Sequence, residues 1–181
     1  MANPRRFLRA LAVMAALGAT LGTALDGIHS HFGATRYARP VFWLAAWWVP
    51  PLFAGAFSIG LLRPLLRREP PPPWWHAAAS MALFVVAYFA SVLPWSWPAV
   101  SAVLLALFAL SYGAFDRTVP GLLVCVGGAF GGPLVEWTLV SLGLFEHTHP
   151  AFLGVSGWLP CLYLVAGVGL QTLARRLVDG P

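Results

Sequence analysis

Lysine is absent from this sequence, and charged residues of either sign are scarce. Only 9% of the 181 residues are charged, whereas 59% are hydrophobic and the mean hydropathy is +0.76. This composition is typical of an integral membrane protein and leaves no room for a separate soluble domain. All the cationic residues are arginines, and they lie at the ends of apolar runs rather than in patches. We therefore expect no nucleic-acid binding, despite the net charge of +5.

Cysteine and the common catalytic motifs are also rare or missing. The two cysteines, Cys125 and Cys161, fall inside apolar runs and so say nothing about the redox compartment. The sequence has no nucleophile elbow, no His-Glu-x-x-His zinc motif and no phosphate-binding loop. We therefore predict a protein that is not an enzyme and has no cofactor.

Six apolar runs divide the chain, and each is long enough to cross a bilayer as a helix of about 20 residues. The predicted fold is an all-α integral membrane protein, a single domain of residues 1–181 with six transmembrane helices. The predicted spans are residues 8–26, 41–66, 74–93, 98–115, 119–143 and 152–174. The first run alternatively suits a cleaved signal peptide, but an even number of spans and the charges around it favour its retention.

Arginine is distributed unevenly between the two ends of these spans. Only Arg36 and Arg39 lie on one side. The other side carries Arg5, Arg6, Arg9, Arg63, Arg67, Arg68, Arg117, Arg175 and Arg176. The positive-inside rule therefore predicts that both termini are cytoplasmic. We expect a multi-pass protein of the cell membrane if the source is bacterial, as the lysine-free composition favours, or of the endoplasmic reticulum if it is eukaryotic.

Proline interrupts three of the predicted spans. Trp48-Val49-Pro50 in the second span and Trp158-Leu159-Pro160 in the sixth share a Trp-x-Pro pattern, and no clear internal repeat is evident beyond this pair. The fifth span contains Pro133. Because proline inside a helix removes a backbone donor, we predict kinks in helices 2, 5 and 6. The freed carbonyls must find partners in hydrocarbon, which favours a cavity in the outer half of the membrane.

The predicted cavity has mainly aromatic and aliphatic side chains for its lining, which suits a lipid with a small polar head. Glu136 is the one acidic residue well inside a span, a position that usually marks function, and no basic residue is expected at its depth. It would contact the ligand or, alternatively, bond to a backbone carbonyl freed by proline. The predicted ligand-binding residues are Trp47, Trp48, Pro50, Pro51, Glu136, Trp158 and Pro160.

Two His-x-His pairs offer a different interpretation. They lie in the predicted outer loops, beside the carboxyl groups of Asp26 and Glu146. Their histidines are His29, His31, His147 and His149. Histidine and carboxylate can bind zinc or a catalytic metal, although this spacing is a weak signature. The alternatives to a lipid-binding protein are therefore a metal-dependent membrane enzyme, or a small transporter gated by the kinked helices.

Three blocks resemble the insulin-induced gene (INSIG) family in order and spacing. They are Trp47-Trp48-Val49-Pro50-Pro51, Phe115-Asp116-Arg117-Thr118 and Trp158-Leu159-Pro160-Cys161. The resemblance covers roughly residues 45–177. It implies a six-helix membrane protein of the endoplasmic reticulum that binds oxysterols, lacks catalytic activity and acts on membrane protein partners such as the escort protein SCAP.

The resemblance also implies a partner-binding site. The family carries a functional aspartate at the cytoplasmic end of the fourth span, which corresponds to Asp116, followed by Arg117. Asp116 alternatively serves as a turn residue or helix cap. In a bacterium the family's sterol would be replaced by a diacylglycerol-like lipid. The His-x-His in the last outer loop departs from the family, and the glycine-rich spans suggest a homo-oligomer.

Overall fold

The structure is a computed structural model, and it describes residues 4–41 and 44–180. Within these residues six helices are long and apolar enough to cross a membrane. Their bounds are Pro4–His31 (α1), Val49–Leu66 (α2), Trp74–Ser91 (α3), Trp97–Phe115 (α4), Val119–Ser141 (α5) and Leu159–Asp179 (α6). Two short strands, Thr35–Tyr37 (β1) and Phe145–His147 (β2), pair antiparallel. The predicted six-helix membrane architecture is confirmed.

Helix α6 forms the centre of the bundle. All five other helices contact it, and most of its side chains are buried. Glycines permit this crowding, because a Cβ on Gly167 would lie 2.9 Å from the Cα of Cys125 on α5. A Cβ on Gly169 would lie 3.2 Å from the carbonyl of Ser80 on α3. The core of the protein is therefore built around α6, and the outer faces of the other helices are left for lipid.

Helices α2 and α6 begin later than predicted. The predicted spans started at residues 41 and 152, but the helices start at Val49 and Leu159; residues 42 and 43 lie outside the described part. Pro50 and Pro160 therefore occupy the first helical turn, where no backbone donor is lost and the fixed φ of proline suits the helix. The kinks predicted at these prolines are wrong, and so is the argument for a transporter gated by them.

The irregular turns of the helices lie at other positions. Helix α1 contains a π-helical turn at Gly18–Gly22 and continues to His31, beyond its predicted end at residue 26. Helix α2 contains a 3-10 turn at Ile59–Leu61. Helix α5 stays helical through Pro133, so a bend at that proline remains a prediction.

The structure reveals an internal repeat, of which the sequence showed only the Trp-x-Pro pair. A helix, a strand and a helix occur first as α1-β1-α2 and again as α5-β2-α6. Equivalent residues are 110 positions apart, as Trp48 is from Trp158. The same residue recurs at Gly18 and Gly128, Gly22 and Gly132, Gly33 and Gly143, Pro40 and Pro150, Pro50 and Pro160, and Leu52 and Leu162. The two units thus share their order of elements and several residues at one spacing, and α3 and α4 connect the two.

The strands of the two units pair around a pseudo-two-fold axis. Arg36 is paired with Glu146, which is its own equivalent in the repeat, so this pair lies on the axis. The register is reciprocal on both sides of this pair, with Thr35 opposite His147 and Tyr37 opposite Phe145. The β ribbon therefore joins the two units symmetrically at one end of the bundle.

The second helices of the two units cross near the other end of the axis. A Cβ on Gly60 of α2 would lie 2.7 Å from the carbonyl of Leu170 on α6, and these two residues are again equivalents. Only glycine allows the backbones to approach this closely. The crossing and the ribbon mark two points on the same axis, and the space between them is available for a cavity.

Candidate functional site

A cavity of about 380 Å³ lies between the two repeat units. The helix crossing at Gly60 and Leu170 bounds it at one end, and Thr35, Tyr37 and Phe145 of the ribbon close it at the other. Its walls are predominantly apolar. They include Leu52, Phe53, Phe57, Phe84, Val124, Leu139, Leu162 and Ala166.

Polar side chains gather at the ribbon end of the cavity. The Tyr37 hydroxyl donates to Asp26 Oδ2 at 2.6 Å, and His147 Nε2 lies 2.9 Å from Glu136 Oε2. Asp26 and Glu136 are equivalents in the repeat, and so are Tyr37 and His147. Burial and the neighbouring Asp26 carboxyl raise the pKa of the Tyr37 phenol, which keeps Tyr37 protonated as a donor. Each unit thus pairs an acid on its first helix with a polar residue on its strand.

Glu136 has a second partner on α6. The Tyr163 hydroxyl donates to its Oε1 at 2.6 Å, so both oxygens of the carboxyl group are hydrogen-bonded to side chains. Within the described residues neither bond goes to a backbone carbonyl, so that alternative for Glu136 is wrong. The expectation that no basic residue lies at the depth of Glu136 is also wrong. Helix α5 ends at Ser141, and strand β2 then brings His147 back to Glu136.

Asp26 and His29 lie inside α1 rather than in an outer loop. Both are buried and both line the cavity. His29 Nε2 is 2.8 Å from Ser91 Oγ, and the Ser91 hydroxyl donates its proton to the carbonyl of Tyr88, so His29 is the donor to Ser91. The helix continues past its predicted end because these polar groups find partners within the bundle.

The four histidines considered as metal ligands do not converge. His29 and His147 are buried and bonded to different partners. His149 is exposed, and the ring of His31 contacts that of Phe32. In residues 4–41 and 44–180 there is no group of three histidine, cysteine, aspartate or glutamate side chains that would hold a metal ion. The metal interpretation therefore fails on geometry.

Two of the seven predicted ligand-binding residues line the cavity, namely Trp48 and Glu136. The Trp48 ring contacts the rings of Tyr37 and Phe145, with centroids 5.4 and 6.3 Å apart. Its equivalent Trp158 is buried, with its ring centroid 5.2 Å from that of His29. The predicted residues outside the lining are Trp47, Pro50, Pro51, Trp158 and Pro160.

Tyrosines are the site residues that the sequence analysis missed. Tyr37, Tyr88 and Tyr163 all line the cavity, and the chain has only 4 tyrosines. A tyrosine within an apolar segment requires a partner for its hydroxyl, so its presence there is a signal for a buried polar site.

A second polar cluster lies at the opposite end of the bundle. The Arg63 side chain is fully buried, with Nε 3.3 Å from Asp116 Oδ2, and Nη2 2.7 Å from Glu69 Oε2 and 3.0 Å from Thr118 Oγ1. Arg175 Nη2 lies 3.2 Å from the same Glu69 oxygen. This charge cluster, Arg63, Glu69, Asp116, Thr118 and Arg175, joins α2, α6 and the turn between α4 and α5.

The charge cluster contains Asp116, one of the two predicted partner-binding residues, and Arg117 follows it in the chain. Asp116 is buried and accepts hydrogen bonds from the Thr118 hydroxyl and N–H at 2.6 and 3.0 Å. Arg117 is exposed, and its Nε donates to the carbonyl of Gly113. Asp116 is thus a structural turn residue in this conformation, and contact of either residue with a partner stays a prediction.

Comparison with known proteins agrees with the fold. No family model matches the chain. The insulin-induced gene 1 protein of Xenopus tropicalis is 30% identical over 97% of this chain and 75% of its own length, and the human protein is 30% identical over 97% and 68%. The insulin-induced gene 2 protein of Gallus gallus is 36% identical over 74% of this chain, which spans 63% of that protein's length.

Solved structures extend the likeness to three dimensions. The mycobacterial Insig homologue MvINS from Mycobacterium vanbaalenii has a TM-score of 0.83 and 30% identity, with 95% of both chains covered. A cross-linked MvINS trimer has a TM-score of 0.86 and 28% identity, again with 95% of both chains covered. Together with the six membrane-spanning helices, these likenesses show that the chain is a multi-pass membrane protein that belongs to the insulin-induced gene family.

Proposed function

We propose that the protein is a non-enzymatic lipid-binding membrane protein that regulates a membrane partner. The cavity between the repeat units carries this proposal, because its walls are apolar and its polar groups are confined to one end. A sterol or a diacylglycerol-like lipid would place its apolar body against the helices and its head beside Asp26 and His29. Membership of the insulin-induced gene family supports the regulatory role.

The charges around the cavity restrict the head group. The lining contains two carboxyl groups, those of Asp26 and Glu136, and within the described residues it contains no arginine. A phosphate or carboxylate head would be desolvated without a compensating cation, which is unfavourable. The site therefore suits lipids whose heads carry no negative charge.

Gently purified protein is expected to retain a bound lipid. Native mass spectrometry would identify it, and added sterol or diacylglycerol should raise the unfolding temperature, since a ligand that binds only the native state stabilises it. If no lipid co-purifies and neither compound stabilises the protein, the proposal fails. The same spectrum gives the stoichiometry of the homo-oligomer that we propose from the likeness to the cross-linked trimer.

The cavity also opens to the side, toward the bilayer. The pseudo-two-fold axis generates two equivalent clefts, one between α2 and α5 and one between α6 and α1. Helix α3 fills the second cleft, where it contacts α1 and α6 and contributes Phe84 and Tyr88 to the lining. In the first cleft α2 contacts α5 mainly through its last turn, Leu62–Leu66. The rest of that cleft is the route by which a lipid would enter.

The rim of this opening is formed by residues that both line the cavity and are exposed on the outer surface. They are Gly55 and Ile59 on α2, and Gly131 and Val135 on α5. A Cβ on Gly55 or Gly131 would have no neighbour within 4 Å, so these glycines leave the rim open.

Gly131→Phe is expected to slow lipid exchange several-fold, because the ring would occupy the rim. Stopped-flow transfer of a fluorescent diacylglycerol from vesicles to the protein measures the rate. Gly127→Phe is the matched control, since Gly127 lies one turn earlier on α5, equally free of neighbours but outside the lining. If both variants exchange lipid at the wild-type rate, lipid enters by another route.

A further inference from the structure

The repeat provides an internal comparison between the two acids of the cavity. In the second unit both oxygens of Glu136 have partners, His147 and Tyr163. In the first unit Asp26 has one partner, Tyr37 at Oδ2. Within the described residues its Oδ1 has none, although Asp26 is only 8% exposed and lines the cavity.

The missing donor has a cause in the sequence. Tyr163 is equivalent to Phe53. Each ring packs against the second glycine of a Gly-x-x-x-Gly pair that occurs in both units, which is Gly132 for Tyr163 and Gly22 for Phe53. A Cβ on Gly132 would meet the Tyr163 ring at 2.4 Å, and a Cβ on Gly22 would meet the Phe53 ring at 2.7 Å. Phenylalanine has no hydroxyl, so the first unit lacks the group that completes the hydrogen bonding of the carboxyl group in the second.

A carboxyl oxygen without a donor inside an apolar cavity is costly, and buried polar groups in native proteins are almost always paired. Asp26 Oδ1 is not among the fully enclosed side-chain atoms that lack a partner, so it is open to the cavity that Asp26 lines. The lining also contains the polar side chains of His29, Tyr88 and Thr35. Within the described residues none of them hydrogen-bonds to Asp26, and His29 and Thr35 bond to Ser91 and Ser30 instead.

We propose that the bound lipid supplies this donor. Its head carries a hydroxyl or an amine that donates a hydrogen bond to Asp26 Oδ1, and Asp26 is therefore the residue that determines head-group specificity. This inference rests on the lipid-binding function proposed for the cavity. It predicts discrimination against lipids of the same shape that lack a donor, such as ethers and esters.

A matched series of probes tests the proposal on the full-length protein in detergent after removal of bound lipid. The probes are 1-hexadecanol, hexadecyl methyl ether, hexadecylamine and hexadecanoate, and native mass spectrometry measures their dissociation constants. The alcohol is expected to bind roughly tenfold more tightly than the ether, since leaving a buried acceptor unpaired lowers affinity by a factor of roughly 5 to 150. The comparison of alcohol with amine identifies which donor the site prefers, and the carboxylate should bind weakest.

Two substitutions exchange the aromatic residues at the equivalent positions 53 and 163. Phe53→Tyr places a hydroxyl in the first unit, where it competes with the ligand for Asp26, so the preference for alcohol over ether should disappear. Tyr163→Phe is the converse exchange: it leaves Glu136 Oε1 without a donor in the same cavity, so the preference for alcohol should persist or increase.

Tyr112→Phe is the matched control, because it removes a hydroxyl that donates to the Thr118 carbonyl outside the lining and should leave the preference intact. Asp26→Leu is a second variant expected to abolish it, and thermal unfolding checks that each variant is folded.

The outcomes separate this inference from the function on which it rests. Equal affinity of the wild-type protein for alcohol and ether would overturn the role of Asp26 while leaving lipid binding intact. A preference for alcohol that survives Phe53→Tyr in a folded protein would also overturn it. Failure of every probe, sterol and diacylglycerol to bind would reject the lipid-binding function itself.

Discussion

Arg63→Ala is expected to lower the free energy of unfolding by about 3–5 kcal/mol, because removing one member of a buried ion pair leaves the other charge uncompensated. The Arg63 side chain is 0% exposed and contacts Asp116, Glu69 and Thr118. Without it, the one cation near the buried Asp116 carboxylate in the described part of the chain would be the more distant Arg175, with Nη1 at 3.9 Å. The turn between α4 and α5 would lose its attachment to α2.

Reversible unfolding in mixed micelles of detergent and SDS measures this loss. Arg36→Ala is the matched control, since Arg36 also faces a carboxylate, Glu146, at 3.6 Å, but with side chains 76% and 62% exposed. An exposed pair of this kind contributes at most about 1 kcal/mol. Similar losses in the two variants would contradict a structural role for the buried cluster.

This result would affect how the partner-binding hypothesis for Asp116 is tested. A variant of Asp116 that loses a partner has two explanations, lost contact or a loosened turn between α4 and α5. Arg63→Ala separates them, because it disturbs the same turn without changing Asp116. Partner binding that survives Arg63→Ala but not Asp116→Asn would support a direct contact.

Gly18→Ala is expected to destabilise the contact between α1 and α2 by about 1–3 kcal/mol or more, the usual cost of overpacking. The added Cβ would lie 2.1 Å from the carbonyl oxygen of Phe53 and 2.9 Å from the Cα of Ala54, so the backbone of one helix has to move. No change of side-chain rotamer relieves a clash with the backbone.

The repeat again supplies the control. Gly128 is the equivalent of Gly18, but a Cβ there would lie 3.9 Å from the carbonyl of Tyr163, which is ordinary contact. Gly128→Ala should therefore be neutral, or stabilising by up to about 1 kcal/mol through helix propensity. Unfolding curves of the two variants give the comparison, and equal stabilities would show that α1 and α2 are less tightly packed than the structure indicates.

Much of the architecture was predictable from local sequence. The six spans follow from hydropathy, which is a property of about 20 consecutive residues and needs no knowledge of their neighbours. The Trp-x-Pro blocks indicated the family, and of the predicted ligand-binding residues Trp48 and Glu136 line the cavity, where their contact with a ligand stays a prediction. The role of the prolines was not predictable in this way, because proline both breaks a helix and favours its first turn. The apolar residues 44–48 continue the hydropathy pattern of the span, although they lie before the helix, which begins at Val49.

The sequence by itself determined that this chain has six membrane-spanning helices and the blocks that resemble the insulin-induced gene family. Only the tertiary structure decided which polar groups meet: Asp26 with Tyr37, Glu136 with His147 and Tyr163, and Arg63 with Asp116. The physical reason is that a buried polar group is stabilised by partners distant in the chain, and these are set by how the helices pack. The 110-residue repeat became recognisable for the same reason, since the symmetric ribbon and helix crossing show which residues are equivalent.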